Sequence, residues 1–376
     1  MENDNDLSFI KHFKEVKDPR REHKKLHKLT DVLFISICAV IANADSFVDI
    51  ERFGKAKETW FKKYLELPNG IPSHDTFGRL FALLQPEILK ECFVSWIKTI
   101  VKSINGEIIA IDGKTVRRSF DRVKGNNAIH IVSAWACENK MVLGQKKVDE
   151  KSNEITAIPE LLEILDIKNC IITIDAMGTQ KKIAERIIEN EADYVLALKG
   201  NQGNLHEDIK LFFNSIDNKN ELDIEFDYFK TIDKDHGRIE IRECYVTSDL
   251  SWLTQKKEWK NLTSIIMIKS KRIIDKKTNT ETRYYISSLK ANAKLNLNAI
   301  RKHWGVENSL HWSLDVSFRE DESRIRKDNA PENFNLLRHI ALNILKQDKT
   351  FKVGLAVKRK TAGWDENYLM NILNKF

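Results

Sequence analysis

The sequence predicts an α/β protein: a mixed sheet flanked by helices, with an N-terminal all-helical domain and a β-rich insertion. Three observations carry this reading. Residues 1–100 show helical patterning and helix punctuation. From about residue 105, short β-branched runs alternate with amphipathic helix patterns. Between about residues 220 and 290, four strand-like runs follow one another with polar connections.

Within the first segment, LTDVLFISICAVIANA is apolar nearly all round and reads as a buried helix. SFVDIERFGKAKETWFKKYLEL is amphipathic. Pro72-Ser73-His74-Asp75 makes a turn and cap ahead of TFGRLFALL, and Pro86 opens another helix. The stretch from Lys11 to Lys28 is rich in Lys and Arg; it reads equally as a solvated face or as a phosphate-contacting segment. Further on, Ile108 to Ile111 is a strand ending at Asp112. AIHIVSAWAC and MVLGQKKVD continue it as a meander. NEITAIPELLEIL is a helix, NCIITID a strand ending at Asp175, TQKKIAERIIENE a helix and ADYVLALK a strand. The order is β-β-β-α-β-α-β. DIEFDYFKTID, RIEIRECYVTS, LTSIIMIKSKRII and TRYYISSL form the insertion. Helix patterning then returns in NAKLNLNAIRKHWGVENSLHWSLDVSF, read as one long helix, and in APENFNLLRHIALNIL. Residues 351–376 form a tail that is basic at its start and amphipathic at its end.

Bulk properties narrow the function classes. Hydrophobic residues make up 42% and charged residues 31%, which excludes a disordered chain. The net charge of +7 is compatible with nucleic acid without specifying it. The five cysteines include no CxxC, so neither a zinc knuckle nor a redox pair is signalled. The N-terminus lacks a signal peptide's basic start and apolar stretch, and Val32 to Ala42 is too short to span a bilayer. A cytoplasmic protein without a membrane partner is expected.

Asp112, Asp175 and Glu307 stand out. An aspartate at a strand end is more often a turn residue or helix cap, and Asp112-Gly113 is itself a turn signal. The pair is more telling, because both follow isoleucine-rich runs on strands expected to be neighbours. Ionised carboxylates placed side by side repel, and hard cations relieve the repulsion. Two Mg²⁺ or Mn²⁺ ions are implied, with Asp112 bridging and Asp175 and Glu307 each helping to hold one. At helical spacing, His303, Glu307 and His311 share a face, with Trp304 close by. The bland alternative is that the tryptophans pack and the histidines are satisfied core groups. A zinc site from the two histidines is disfavoured, since no HExxH or cysteine cluster accompanies them. Asp315, Glu320 and Asp321 suit capping or salt-bridge roles better than metal ligation.

Several cations suit a polyanion. Lys114, Arg117 and Arg118 follow Asp112 closely, and Lys199 ends the last core strand beside Gly200 and Gly203. A strand through HGRIEIR puts Arg238, Glu240 and Arg242 on one face. Arg301, His303, Trp304, His311 and Trp312 complete the set of candidate DNA contacts around Glu307.

IDGKTVRRS, ITIDAMGTQ, YVLALKGNQ, HGRIEIR and HWGVENSLHWSLDVSFRED closely resemble the DDE transposases of bacterial insertion sequences, most of all the H-repeat-associated subgroup. The stretch from about Phe9 to Leu89 is similar to the helical domain that accompanies that subgroup. The resemblance implies a ribonuclease H-like core over residues 101–350, with the insertion ahead of the last acid and residues 1–100 as a DNA-binding or accessory domain. It implies Mg²⁺-dependent cutting of double-stranded DNA at terminal inverted repeats, then strand transfer into a target, by a homodimer in a paired-end complex. The protein would associate with the nucleoid when bound to DNA. The family triad maps onto Asp112, Asp175 and Glu307. Related enzymes carry a Tyr-Arg-Glu-Lys signature around the glutamate. Here Ile300 and His303 hold the Tyr and Arg spacings, and no lysine follows at the expected distance. Trp304 or Trp312 would stack on a flipped base. Two competing readings are a transposase-derived DNA-binding remnant and a metal-dependent, structure-specific nuclease.

Overall fold

The computed structural model describes residues 8–101, 104–121, 124–149, 152–218, 225–235, 237–275 and 277–375. Six helices come first: α1 (Ser8–Phe13), α2 (Leu29–Ile41), α3 (Phe47–Ala56), α4 (Glu58–Phe61), α5 (His74–Leu83) and α6 (Pro86–Ile100). As its composition requires, α2 is buried along almost its whole length. The amphipathic stretch after it divides at Lys57 into α3 and α4. Ser46 caps α3 by accepting from Asp49 N, and Ser73 caps α5 by accepting from Thr76 N. In the basic run, Arg20 folds inward to donate to Asp18 and to the His27 carbonyl, while Lys11, Lys17 and Arg21 face solvent.

The sheet begins with β1 (Ile108–Thr115), β2 (His130–Ala136) and β3 (Met141–Lys147), an antiparallel meander. Helix α7 (Glu154–Ile164), capped by Asn153, leads to β4 (Ile171–Ile174), and α8 (Lys181–Glu189) leads to β5 (Asp193–Leu198). β4 runs parallel to β1, and β5 parallel to β4. Helix α9 (Asn204–Asn218) precedes the inserted strands β6 (Asp227–Asp235), β7 (Arg238–Thr247), β8 (Ser264–Ile274) and β9 (Lys277–Ser287). These do not form a separate sheet. β9 pairs antiparallel with β5, giving one nine-stranded sheet in the order β3-β2-β1-β4-β5-β9-β8-β7-β6.

Helix α10 (Ala293–Val306) crosses one face of this sheet, touching β1, β4 and β5 as well as β6, β7 and β8. Its Leu297, Ala299 and Ile300 share an apolar cluster with Ile108, Ile171, Val195, Val246 and Ile266. Helix α11 (Ala330–Gln347) packs against α2, α5, α6 and β3, so the N-terminal helices and the sheet share a continuous core. Asn343 on α11 occupies the free edge of β3, accepting from Val142 N at 2.8 Å and donating to Val142 O at 2.9 Å. Of the five free cysteines, four are buried and Cys137 is half-buried. Among the described residues, no helix is long and apolar enough to cross a membrane.

The tail is two helices, α12 (Leu355–Trp364) and α13 (Glu366–Leu373). Its anchor is Asp348, a buried carboxylate that accepts from Lys375 Nζ at 2.8 Å, Tyr368 OH at 2.9 Å and Thr350 N at 3.1 Å. Burial alone would raise its pKa, but the hydrogen bonds from Lys375, Thr350 and Tyr368 outweigh it and hold the carboxyl well below the usual range. A depressed folded-state pKa stabilises fully above the unfolded value of about 4, and the contribution fades as pH falls toward the folded value. Asp348→Asn should therefore cost about 3 kcal/mol at neutral pH. In chemical denaturation its deficit against the parent protein should shrink steadily below about pH 4; a deficit that does not change with pH would contradict the clamp.

Candidate active site

The site is built where the pairing of β1 with β4 stops. Ile111 opposite Ile174 is the last pair in that register, so Asp112 and Asp175 follow side by side. They differ in local structure. Asp175 leaves its strand and accepts from Met177 N at 3.0 Å and Gly178 N at 3.2 Å, a turn leading into α8. Asp112 is not at a strand end. β1 continues to Thr115 because β2 keeps pairing with it, Asp112 lying opposite Ser133 and Thr115 opposite His130. The Asp-Gly pair is therefore strand, not turn. Glycine at 113 leaves room for a close approach: a Cβ there would meet Glu154 Oε1 and His130 Nε2, and those side chains would have to shift. Those two groups are joined at 2.6 Å, and His130 Nδ1 lies 2.8 Å from Thr115 Oγ1.

Glu307 is delivered by α10, but not on one continuous α-helix as its sequence suggests. The α-helix ends at Val306, and Glu307–His311 and Ser313–Ser317 are π-helical turns. Such widened turns shift the facing of every later side chain and recur at functional sites. His303, still on α10, is directed at β4, its Nδ1 3.1 Å from Thr173 Oγ1. His311 reaches the carboxylates instead: its Nδ1 is 3.2 Å from Glu307 Oε2 and 3.6 Å from Asp112 Oδ2. Asp112, Glu307 and His311 each offer a ligand atom within 4.8 Å of the others.

The electrostatics match this crowding. Burial, then the nearby charge of Glu307, raises the Asp112 pKa to about 7, with Glu154 and Asp175 adding to the effect. Burial pushes His303 and His311 below their usual values, against the pull of neighbouring carboxylates. Both imidazoles are thus kept neutral, the form in which a ring nitrogen has a lone pair to donate. His311 Nε2 is buried with no hydrogen-bond partner among the described residues.

The sequence-derived cations scatter around this centre. Lys114 points inward and is only 12% exposed, held among Asp315, Glu320 and Asp321. Arg117 is 78% exposed and reaches Asp321 at 3.1 Å, and Arg118 and Lys199 are exposed. Arg238 and Arg242 lie on β7, both ion-paired with Glu240, and Asp233 joins Arg242 to Arg301. His236, the first residue of HGRIEIR, lies outside the described residues. Trp304 and Trp312 are 47% and 56% exposed.

A groove of about 580 Å³ runs from Glu307 between α10 and the inserted strands, with Arg242, Arg272, Arg283, Arg301 and Trp304 along it. Arg283 and Arg272 were not foreseen. The Arg283 guanidinium sits 4.2 Å from the centre of the Trp304 ring. Glu154 and His130 were also missed. Their only sequence signal is that a strand glycine marks a close approach.

Strand order 3-2-1-4-5 with acids gathered past its central parallel pair defines a ribonuclease H-like protein. Residues 105–344 match the family model for the transposase DDE domain, and residues 10–97 match a family described as DDE_Tnp_1-associated. The H repeat-associated protein YhhI of Escherichia coli is 45% identical, the match covering 97% of each chain. A protein from the dhlA 3′ region of Xanthobacter autotrophicus is 43% identical over 73% of this chain and 92% of its own length. A piggyBac transposase in a synaptic complex with hairpin DNA aligns over 98% of this chain and 77% of that one, at 11% identity and a TM-score of 0.42, which is too low to argue from. The chain belongs to the DDE transposase family, in its H-repeat group.

Gly113→Ala should push Glu154 away from His130 and lower the melting temperature. The cost of Gly113→Ala should be smaller in a Glu154→Ala background, with a coupling of about 1 kcal/mol in a double-mutant cycle. Additive losses would show that the pair is not what excludes a side chain at 113.

Proposed function

We propose that this transposase cuts phosphodiester bonds at the terminal inverted repeats of an insertion sequence and joins the freed ends to target DNA. The observation that carries the reading is the convergence of Asp112, Glu307 and His311 within 4.8 Å, with Asp175 adjacent to Asp112 across the strand pair. The residues fit divalent cations. The oxygen donors are hard, a neutral imidazole joins them, and burial together with the nearby charge of Glu307 raises the Asp112 pKa to about 7. Asp112, Asp175 and Glu307 would hold two Mg²⁺ or Mn²⁺ ions, with His311 as a nitrogen donor beside them. When bound, two such ions activate an attacking hydroxyl and stabilise the leaving oxygen.

The chain's own residues do the rest. Asp112 is grouped with Glu307 and His311, and Asp175 follows the neighbouring strand outside that 4.8 Å cluster, so Asp112 would serve both. His303 is kept neutral against Thr173 and adds no charge to the floor. Arg242, Arg283 and Arg301 line a route by which a DNA strand leaves Glu307, and Trp304 and Trp312 offer exposed rings for an unstacked base. Arg117, Arg118, Lys199 and Arg238 are placed to neutralise phosphates. Residues 1–100 act as an accessory DNA-holding unit, and two protomers pair the element ends, on DNA within the nucleoid.

Purified protein, Mg²⁺ or Mn²⁺ and a duplex carrying the element's own ends provide the test. The parent protein should nick at the end sequence. Asp112→Asn, Asp175→Asn and Glu307→Gln should each reduce nicking to background while binding the duplex as tightly in EDTA. Full cleavage by any of these variants defeats the metal assignment. Cutting of branched duplexes regardless of end sequence points to a structure-specific nuclease instead.

A further inference from the structure

Lys114 was expected to meet phosphate, and the structure gives it different partners. It lies two residues past Asp112 on β1, and so on the same face of the sheet. Its Nζ is 2.7 Å from Asp315, 3.1 Å from Asp321 and 3.2 Å from Glu320; the Asp321 contact has hydrogen-bonding geometry. Asp315 belongs to the second π-helical turn, directly after the one that carries Glu307 and His311. Glu320 is fully buried, accepts from Asn335 Nδ2 at 2.8 Å and lies 3.5 Å from Arg338 Nη1. Arg338 is itself buried on α11, its guanidinium 4.6 Å from the centre of the Phe334 ring. A chain of buried charge thus runs from the strand of Asp112, through the segment following Glu307 and His311, into α11.

Position makes this more than a surface ion pair. Asp112 lies on the strand that carries Lys114 and His311 on the turn just before that of Asp315, and their nearest polar atoms are 3.6 Å apart. π-Helical turns are rare and recur at functional sites, and here contacts from other elements hold the segment that contains them. On the far side, buried Arg359 of α12 donates to the Ser317 carbonyl and to Asp45, pinning the end of the same segment. Lys114 supplies the pin on the metal side.

We propose that Lys114 is a positioning residue that sets the separation between Asp112 and the Glu307–His311 pair, and through it the affinity for divalent cation, without touching DNA. This rests on the reading of those three residues as metal ligands. The two ideas separate experimentally. Mn²⁺ binding to the full-length protein without DNA is measured for the parent, Asp112→Asn, Lys114→Met and Asp315→Asn, with thermal unfolding of the same samples. Duplex affinity is measured in EDTA across a range of salt.

Lys114→Met is expected to weaken Mn²⁺ about tenfold or more. Its slope of log affinity on log salt should match the parent's. Asp315→Asn leaves Glu320 and Asp321 around the ammonium, and should show the same loss in milder form even if Lys114→Met fails to fold. If Mn²⁺ affinity is unchanged in both folded variants while Asp112→Asn loses it, the positioning role is wrong and the metal site stands. If the salt slope of Lys114→Met falls by about one, Lys114 contacts a phosphate and the proposal fails. If the parent binds no Mn²⁺, both readings fall.

Discussion

Ile111 and Ile174 are the last backbone partners of a parallel strand pair, and the candidate site starts where that pairing stops. Parallel strands point their carboxyl ends the same way. Two aspartates that each follow a paired isoleucine must therefore emerge together. Nothing in their own side chains favours the approach. It is imposed by the isoleucines, which are buried in the sheet. The raised Asp112 pKa comes first from burial and then from Glu307, with Asp175 a smaller contributor. The arrangement suits the divalent cations proposed above.

Holding the third acid is a different problem, since Glu307 comes from the far end of α10. The apolar face of that helix fixes its direction across the sheet through Leu297 and Ile300, but a helix end frays. Beyond Val306 the backbone widens into π-helical turns, and buried cations from elsewhere in the chain take over. Lys114 reaches in from β1 and Arg359 from α12. Buried ions carry desolvation penalties of several kcal/mol each, so apolar packing would stabilise the same contact as well or better. Charge contributes direction: an ammonium among three carboxylates has few alternative arrangements, whereas an apolar contact has many.

Much of this was legible in the sequence, because strands and helices announce themselves by period. The β-β-β-α-β-α-β order and the two aspartates follow from isoleucine-rich runs and their punctuation, and the architecture agrees. Reading failed where structure depends on partners distant in sequence. Asp112-Gly113 looks like a turn, and only the pairing of β2 keeps it in a strand. A regular helix was the natural extrapolation through Glu307, since nothing local marks a π-helical turn. Lys114 looked like a phosphate contact because its neighbours Arg117 and Arg118 are basic. The carboxylates that claim it are about two hundred residues away in the chain. Arg283 was overlooked because its place beside Trp304 follows from the pairing of β8 with β9 and the path of α10.

The inserted strands have a consequence that lies in mechanics rather than chemistry. β9 hydrogen-bonds to β5, so the insertion and the strands bearing Asp112 and Asp175 are one continuous plate, with α10 laid across the join. Backbone hydrogen bonds therefore run unbroken from the strands lining the groove to the strands bearing the acids. DNA seated along the groove would meet a surface whose distance from the acids is already set. Any large rearrangement in the proposed reaction would then fall to the nucleic acid rather than to this join.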